Sequence, residues 1–320
     1  MRVPLPAARM TAVTVVVDMG GGVFNPELGR NPRLSAVGRG EGLPTVDHPD
    51  LAFVIDLARR AGALALVHQG HVERQVKRGS EAVTAADRAC QALIIDGLKS
   101  RFPDDGIIGE ENDDGSAITN QAARHGQRVW VIDPIDGTNN YVTGLEHCAV
   151  CIGLLDRGQP VLGVVHDLFP GKTYAAAQGH GAWILGRGDE PARAIRANPA
   201  PLGPSSIIMM TANLMIDGRL APWATWLFTQ TDWKIRMLGA SALETVQVAA
   251  GTAHIAVTLN GKLWDVAAPA AILLEAGGLL TTADGRDVFP FDLTGYTGGK
   301  VPFIAAAPAA SATFLAALRA

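Results

Sequence analysis

Between Arg128 and Leu185 the chain is written in short β-rich runs, and this stretch limits the possible fold more than any other. Arg128–Ile132, Cys148–Leu155, Val161–His166, Thr173–Gln178 and Ala182–Leu185 are four to eight residues long. Asp156-Arg157-Gly158, Pro170-Gly171-Lys172 and Gly179-His180-Gly181 form the turns between them. Consecutive strands joined by such turns imply an antiparallel meander. On both sides of it the period is helical. Leu51, Val54, Ile55, Ala58, Ala61 and Ala65 mark one apolar face up to Gly70. A second helix starts at Thr84, where Thr84 and Asp87 form a capping box with Asp in place of Glu, and Ala86, Ala89, Leu93, Ile94 and Leu98 supply its stripe.

After a polar, Pro-rich stretch over Gly186–Pro204, strands alternate with helices again. Ser205–Met210 and His254–Leu259 read as strands, and Ala240–Ala250, Ala267–Ala276 and Ala310–Leu318 as helices. The expected organisation is an arm over residues 1–46, an α+β part over 47–190 and a smaller α/β part over 191–320. The arm has no sustained period and is rich in Gly, Pro and Arg. Its apolar run Thr11–Val17 is short and ends in Asp18, so the N-terminus reads as a poorly specified extension with Met10 as the true initiator, not as a signal peptide.

Composition narrows the class. With 48% hydrophobic and 18% charged residues, the 320-residue chain can bury a full core. Lys plus Arg is 27 against 31 for Asp plus Glu, a net charge of −4, which disfavours nucleic acid as the principal partner. No run of about eighteen apolar residues is present to span a membrane. Three cysteines, Cys90, Cys148 and Cys151, make neither a disulfide framework nor a four-ligand zinc site, so a reduced cytoplasmic setting is expected.

The chemistry lies in the carboxylates. Trp130-Val131-Ile132 delivers Asp133 at a strand end, Pro134 removes a ladder donor, and Asp136 follows across a tight turn before Gly137-Thr138. Two converging carboxylates repel each other, and burial penalises their charge further; a hard divalent cation with oxygen ligands relieves both costs. Glu110-Glu111 ends the run Ile107-Ile108-Gly109, Asp265 opens a helix after Leu263-Trp264, and Asp87 sits in a first helical turn. Singly, these are an Asp-Gly turn, a solvated pair, an N-cap and a dipole-favoured acid. Together they put four acidic clusters at the edges of regular elements. A helix starting after Gly137 would add free backbone N–H groups for a phosphate. Acids for metal beside amides for phosphate suggest metal-assisted phosphoester hydrolysis.

The run Asp133-Pro134-Ile135-Asp136-Gly137-Thr138-Asn139-Asn140-Tyr141 resembles the signature of the inositol monophosphatase family of lithium-sensitive, Mg²⁺-dependent phosphatases. The resemblance extends to Val83-Thr84-Ala85-Ala86-Asp87, Phe102-Pro103, Gly109-Glu110-Glu111, Trp264-Asp265 and Glu275-Ala276-Gly277-Gly278, in the family's order, over about residues 50–315. It implies a layered αβαβα sandwich, a homodimer, and hydrolysis of a small phosphorylated metabolite such as inositol 1-phosphate by direct attack of an activated water. By the same resemblance, Glu110, Asp133 and the Ile135 carbonyl would hold one Mg²⁺, and Asp133, Asp136 and Asp265 a second. Glu110 would help a looser third ion through water. Asp87 and Thr138 would orient and deprotonate the attacking water, with Glu111 in support. The Gly137 and Thr138 amides would hold the phosphate, and Asp136, Ser241 and Thr258 would lie along the substrate.

Some positions depart from that pattern. Thr258 stands where inositol-phosphate members carry a glutamate toward sugar hydroxyls. Gly239-Ala240-Ser241 exchanges the usual polar and small residues, Gln91 replaces a glutamate, and Pro269 enters the first turns of the Asp265 helix. These bear on the substrate and leave the reaction class untouched. Histidinol phosphate, fructose 1,6-bisphosphate and 3′-phosphoadenosine 5′-phosphate are the rival substrates, although Asn139-Asn140 matches the inositol-phosphate branch. A non-catalytic metal-binding regulator is the rival from another class. Cys148 and Cys151 read as core, Trp223 and Trp226 as core or subunit interface, and Arg236 as structural support.

Overall fold

The computed structural model describes residues 48–319 except 70–74, 77–81, 112–118, 122–126, 188–189, 211–214, 217–218, 221 and 230–231. The arm over residues 1–46 and the expected start at Met10 lie outside the described residues. Helices α1 (Pro49–His68) and α2 (Ala85–Arg101) are separated by a ribbon of β1 (Gln75–Val76) and β2 (Ala82–Val83). Then come β3 (Gly106–Gly109), β4 (Thr119–Gln121), β5 (Arg128–Asp136), α3 (Thr138–Thr143), β6 (Ala149–Asp156), β7 (Gln159–Asp167), β8 (Thr173–Ala177), β9 (Ala182–Leu185) and β10 (Arg193–Ile195). The remainder is β11 (Ile207–Met210), a second ribbon of β12 (Met215–Ile216) and β13 (Arg219–Leu220), α4 (Pro222–Thr229), β14 (Lys234–Arg236), α5 (Ser241–Ala249) and β15 (Ile255–Thr258). It closes with α6 (Leu263–Glu275), β16 (Leu279–Thr281), β17 (Phe303–Ala306) and α7 (Pro308–Arg319).

The expected meander is the body of an eight-stranded sheet in the order β10-β9-β8-β7-β6-β5-β3-β4, antiparallel except where β3 runs parallel to β5. A second sheet, ordered β14-β11-β15-β17-β16, pairs β14, β11 and β15 in parallel and sets β17 against β15 and β16. Three hydrophobic layers join them. Leu51, Val54, Ala58, Ile94 and Leu98 of α1 and α2 pack on Trp130, Ile132, Ile152 and Val164. On the opposite face Val131, Cys151 and Val165 meet Leu243 and Val246 of α5 and Val266 and Leu273 of α6, which also cover Ala256 and Ala305 of the second sheet. The far face of that sheet holds Leu227 of α4 and Phe314 of α7 against Ile208, Val257 and Ile304. The result is the layered αβαβα sandwich. The alternation along β5 explains the first two layers, since successive side chains in a strand point to opposite faces.

The middle helix layer sits close to the first sheet because two paired strand positions carry no side chain. Gly153 on β6 and Gly163 on β7 face each other in register. A Cβ at Gly153 would lie 2.7 Å from the Ala268 nitrogen and 2.9 Å from the Ala267 carbonyl carbon, and one at Gly163 would collide with Ala268. Gly153→Ala should therefore push α6 outward and destabilise the fold by about 1–3 kcal/mol, as overpacking does. A drop in the thermal midpoint without loss of far-ultraviolet signal checks this.

Two boundaries differ from expectation for identifiable reasons. α6 begins at Leu263, not Ala267, because Asp265 at its third position accepts the Lys262 amide at 2.7 Å and starts the helix one turn earlier. Pro269 is consequently interior, where it cannot supply the helical bond to the Asp265 carbonyl. β5 continues past Ile132 to Asp136, with a register shift between Asp133 and Asp136. Cys148 and Cys151 are buried free thiols, as the core reading expects. Trp226 packs edge-on against Trp233 beside the α4 layer. Among the described residues no helix is long and apolar enough to cross a membrane.

Candidate active site

The end of β5 departs from strand geometry where the acids stand. In a regular strand Asp133 and Asp136, three residues apart, would point to opposite faces. The register shift between them, at Pro134, re-aims the second carboxylate, as bulges do beside functional sites. Asp133 Oδ1 accepts the Ile135 amide at 3.0 Å and fixes the turn. Asp265 reaches the same point from the first turn of α6. One carboxylate oxygen each from Asp133, Asp136 and Asp265 lie within 4.8 Å of one another.

The cluster is electrostatically costly without a counter-charge. Burial pushes the Asp133 carboxyl well above the usual carboxylate range, and the charges of Glu110, Asp136 and Asp265 push it further. Asp136 is raised mainly by burial and then by Asp265, while its bond from the Ala242 amide pulls the other way. Glu110, half-buried at the exit of β3, has its backbone nitrogen on the Ile132 carbonyl, 3.2 Å away, so β3 and β5 deliver acids side by side. An all-oxygen donor set with accumulated negative charge suits a hard divalent cation. The Cys151 thiol beneath, raised by burial and then by the same acids, stays protonated and is a poor metal ligand.

Beside the acids, Gly137 takes φ 84° as the N-cap of α3, a left-handed conformation that favours glycine. A side chain there would also press on the His147 carbonyl at 3.0 Å and the Ala240 Cβ at 3.1 Å. The expected helix start after Gly137 is thus present, with Thr138 as its first residue. Thr138 Oγ1 lies 3.0 Å from the Ile135 carbonyl oxygen and 3.3 Å from Asp87 Oδ1. Asp87 is fully buried, and its Oδ2 accepts the Thr84 amide at 2.8 Å and the Thr84 hydroxyl at 2.5 Å. The capping box over Thr84 and Asp87 therefore fixes one oxygen of Asp87 and leaves the other facing Thr138.

The remaining expected residues are placed as follows. Glu111 is buried, and its backbone is clamped by Gln91, which accepts its amide at 2.9 Å and donates to its carbonyl at 2.6 Å. Gln91 thereby holds the exit of β3, and Gly109 leaves it room. Ser241 is buried at the first position of α5. Thr258 ends β15, buried, with its hydroxyl oxygen unbonded, and lines a cavity of about 170 Å³ with Trp223, Leu259, Phe303 and Leu318. Arg236 is exposed.

Two contacts had no sequence signal. The N-cap of α5 is Ala240, which has no capping group; the amide of Ala242 is met instead by Asp136 Oδ2, at 2.9 Å and 106 residues away. Glu244, fully buried in the first turn of α5, accepts the Leu238 and Gly239 amides, each at 3.0 Å. A helix lacking a local cap and carrying a first-turn acid was the only hint available.

The model of the inositol monophosphatase family matches residues 47–320. A Thermotoga maritima protein named fructose-1,6-bisphosphatase/inositol-1-monophosphatase is 31% identical over 75% of this chain and 88% of its own length. A Mycobacterium tuberculosis histidinol-phosphatase is 34% identical over 75% of this chain and 90% of its own. A crystal structure of an IMPase/NADP phosphatase complexed with Mg²⁺ and phosphate superposes with a TM-score of 0.69 at 25% identity, covering 86% of this chain and 96% of that one. Fold, acid cluster and family match define a phosphatase of phosphoric monoesters. The chain belongs to the inositol monophosphatase family.

Proposed function

We propose that this protein is a Mg²⁺-dependent phosphomonoesterase for small phosphorylated metabolites, inositol 1-phosphate among them, working by direct attack of water. The observation that carries this reading is the convergence of Asp133, Asp136 and Asp265 within 4.8 Å, next to the start of α3. Glu110, Asp133 and the Ile135 carbonyl would hold one ion, Asp133, Asp136 and Asp265 a second, and Glu110 would assist a third. When bound, Mg²⁺ supplies positive charge to the phosphoryl oxygens and acidifies water. Thr138 orients the attacking water, and Asp87 Oδ1 takes its proton by way of the Thr138 hydroxyl. The amides of Gly137 and Thr138 receive phosphoryl oxygens, and Glu111 supports Glu110 from its clamped position. Residues 47–190 would carry most ligands, and residues 191–320 would complete the site with Asp265, Ser241 and Thr258.

The same reading includes a cytoplasmic enzyme without a nucleic-acid partner, inhibited by Li⁺ at the Asp136–Asp265 position. It includes a homodimer, supported by exposed Leu145, Met237 and Leu238; the Leu145 amide donates to the Asn140 carbonyl, and the Leu238 carbonyl accepts from Asn140 Nδ2. A non-catalytic metal-binding regulator would show no turnover.

The substrate test is a panel of inositol 1-phosphate, histidinol phosphate, fructose 1,6-bisphosphate and 3′-phosphoadenosine 5′-phosphate. Thr258 is short and neutral where a glutamate would accept hydroxyls, and such charge-assisted bonds contribute about 1.5–3 kcal/mol. Several substrates should therefore be cleaved with kcat/KM values within about tenfold of each other. Thr258→Glu should lower KM for inositol 1-phosphate by roughly tenfold or more. A wild-type preference for inositol 1-phosphate of roughly a hundredfold, unchanged by Thr258→Glu, contradicts the reading of Thr258.

A further inference from the structure

The N-terminus of α5 meets the acid cluster through the Leu238–Ser241 loop, and that loop has few means of holding its shape. Gly239 takes φ 82°, and Ala240 offers no capping side chain. Two side chains restrain the loop. Glu244 Oε1 accepts the amides of Leu238 and Gly239, each at 3.0 Å. Asn140, on α3, donates from Nδ2 to the Leu238 carbonyl at 2.7 Å and to the His147 carbonyl at 3.0 Å. The loop also abuts the phosphate turn, since a Cβ at Gly137 would lie 3.1 Å from the Ala240 Cβ and 3.5 Å from the Gly239 carbonyl oxygen. Beyond the loop, the Ala242 amide donates to Asp136 Oδ2 at 2.9 Å.

Glu244 is otherwise an unexpected residue at a fully buried helical position. Its second oxygen, Oε2, has no hydrogen-bond partner among the described residues, and an acid there gains nothing from solvent. From this juxtaposition we infer that Glu244 is a positioning residue of the active site. Its carboxyl group holds the Leu238–Ser241 loop in the shape that brings the Ala242 amide to Asp136 and, through Asn140, braces the helix that starts at Thr138. This rests on the function proposed above, because Asp136 matters through the cation it would hold.

The test uses the full chain with Glu244→Ala, Glu244→Asp and Glu244→Gln. It reads Mg²⁺ affinity by calorimetry, hydrogen exchange of the peptide spanning residues 237–242, and kcat/KM for p-nitrophenyl phosphate. Glu244→Ala removes the acceptor of two buried amides, and leaving them unsatisfied should weaken Mg²⁺ binding and lower kcat/KM by about tenfold or more. Exchange over residues 237–242 should accelerate. Glu244→Gln keeps an acceptor oxygen and should restore both values to within about threefold of wild type. That rescue separates positioning from mere filling of space. Glu244→Asp keeps the carboxyl group but withdraws it by one methylene, so it should fall between the two, and it decides the matter if the alanine variant does not fold. A folded Glu244→Ala or Glu244→Asp protein with wild-type exchange and wild-type Mg²⁺ affinity overturns the inference, as does a Gln variant as impaired as Ala. If the wild type binds Mg²⁺ but cleaves no phosphomonoester, the proposed function falls, and the role of Glu244 is decided by affinity and exchange alone. If the wild type binds no Mg²⁺, both fall.

Discussion

Asp133→Asn should leave a folded protein with almost no phosphatase activity. Asp133 is the one side chain assigned to both cations, and the neutral amide removes the charge that lets them sit together. Metal ions contribute several kcal/mol of transition-state stabilisation, so kcat/KM should fall by roughly 10³-fold or more. Stability without metal should move the other way. Asp133 is buried among Glu110, Asp136 and Asp265, and its proton affinity is raised in the folded state. A carboxyl whose folded pKa lies above its unfolded value binds more protons when folded. It therefore costs stability as pH rises above the unfolded value of 3.8, until it passes the folded pKa. In EDTA the wild type should accordingly lose more stability than Asp133→Asn as the pH is raised above 3.8. Asp133→Asn should raise the midpoint at pH 8, and Mg²⁺ should raise it for the wild type only. Near-normal Mg²⁺-dependent turnover in the variant, measured alongside these melts, would remove Asp133 from the site.

The second large effect belongs to the pair that handles the proton. Asp87 Oδ2 is committed to Thr84, and its Oδ1 faces the Thr138 hydroxyl at 3.3 Å. Asp87→Asn should lower kcat by about 10²–10⁴-fold, the range for general-base catalysis. KM should change little, since the proposed mechanism gives the phosphate to the amides of Gly137 and Thr138. Thr138→Ala should give a loss of similar size, and the double variant should be no worse than the poorer single one, because the two act as one relay. Additive losses in steady-state kinetics would mean that they act separately.

Much of this site was legible in the chain itself, because acids that interrupt hydrophobic strands are conspicuous. Asp133 and Glu110 end β-rich runs, Asp136 follows across a turn, and Thr84 with Asp87 announces its helix through the capping pattern. The meander was legible from its strands and turns, and the layered architecture followed from the resemblance. What stayed hidden depends on partners far along the sequence. The Asp136–Ala242 bond joins residues 106 apart, and nothing in Ala240 or Ser241 signals that the cap comes from another element. Glu244 carries no signal of its own in the sequence, since the helix dipole favours an acid in a first turn without any further role. The register shift after Asp133 was hidden behind Pro134, read as a strand stop although β5 continues to Asp136. The short strands β10, β14 and β16, three residues each, are too brief to show a period. Nothing in the sequence around Gly153 and Gly163 signals that α6 lies against them.

The most direct test of the central claim is phosphate release from p-nitrophenyl phosphate by the wild-type chain, measured with Mg²⁺ and again after its removal with EDTA. The account requires turnover that disappears with the metal and returns in full when Mg²⁺ is restored. Hydrolysis that persists unchanged in EDTA, or no hydrolysis of any phosphomonoester at saturating Mg²⁺, would contradict it.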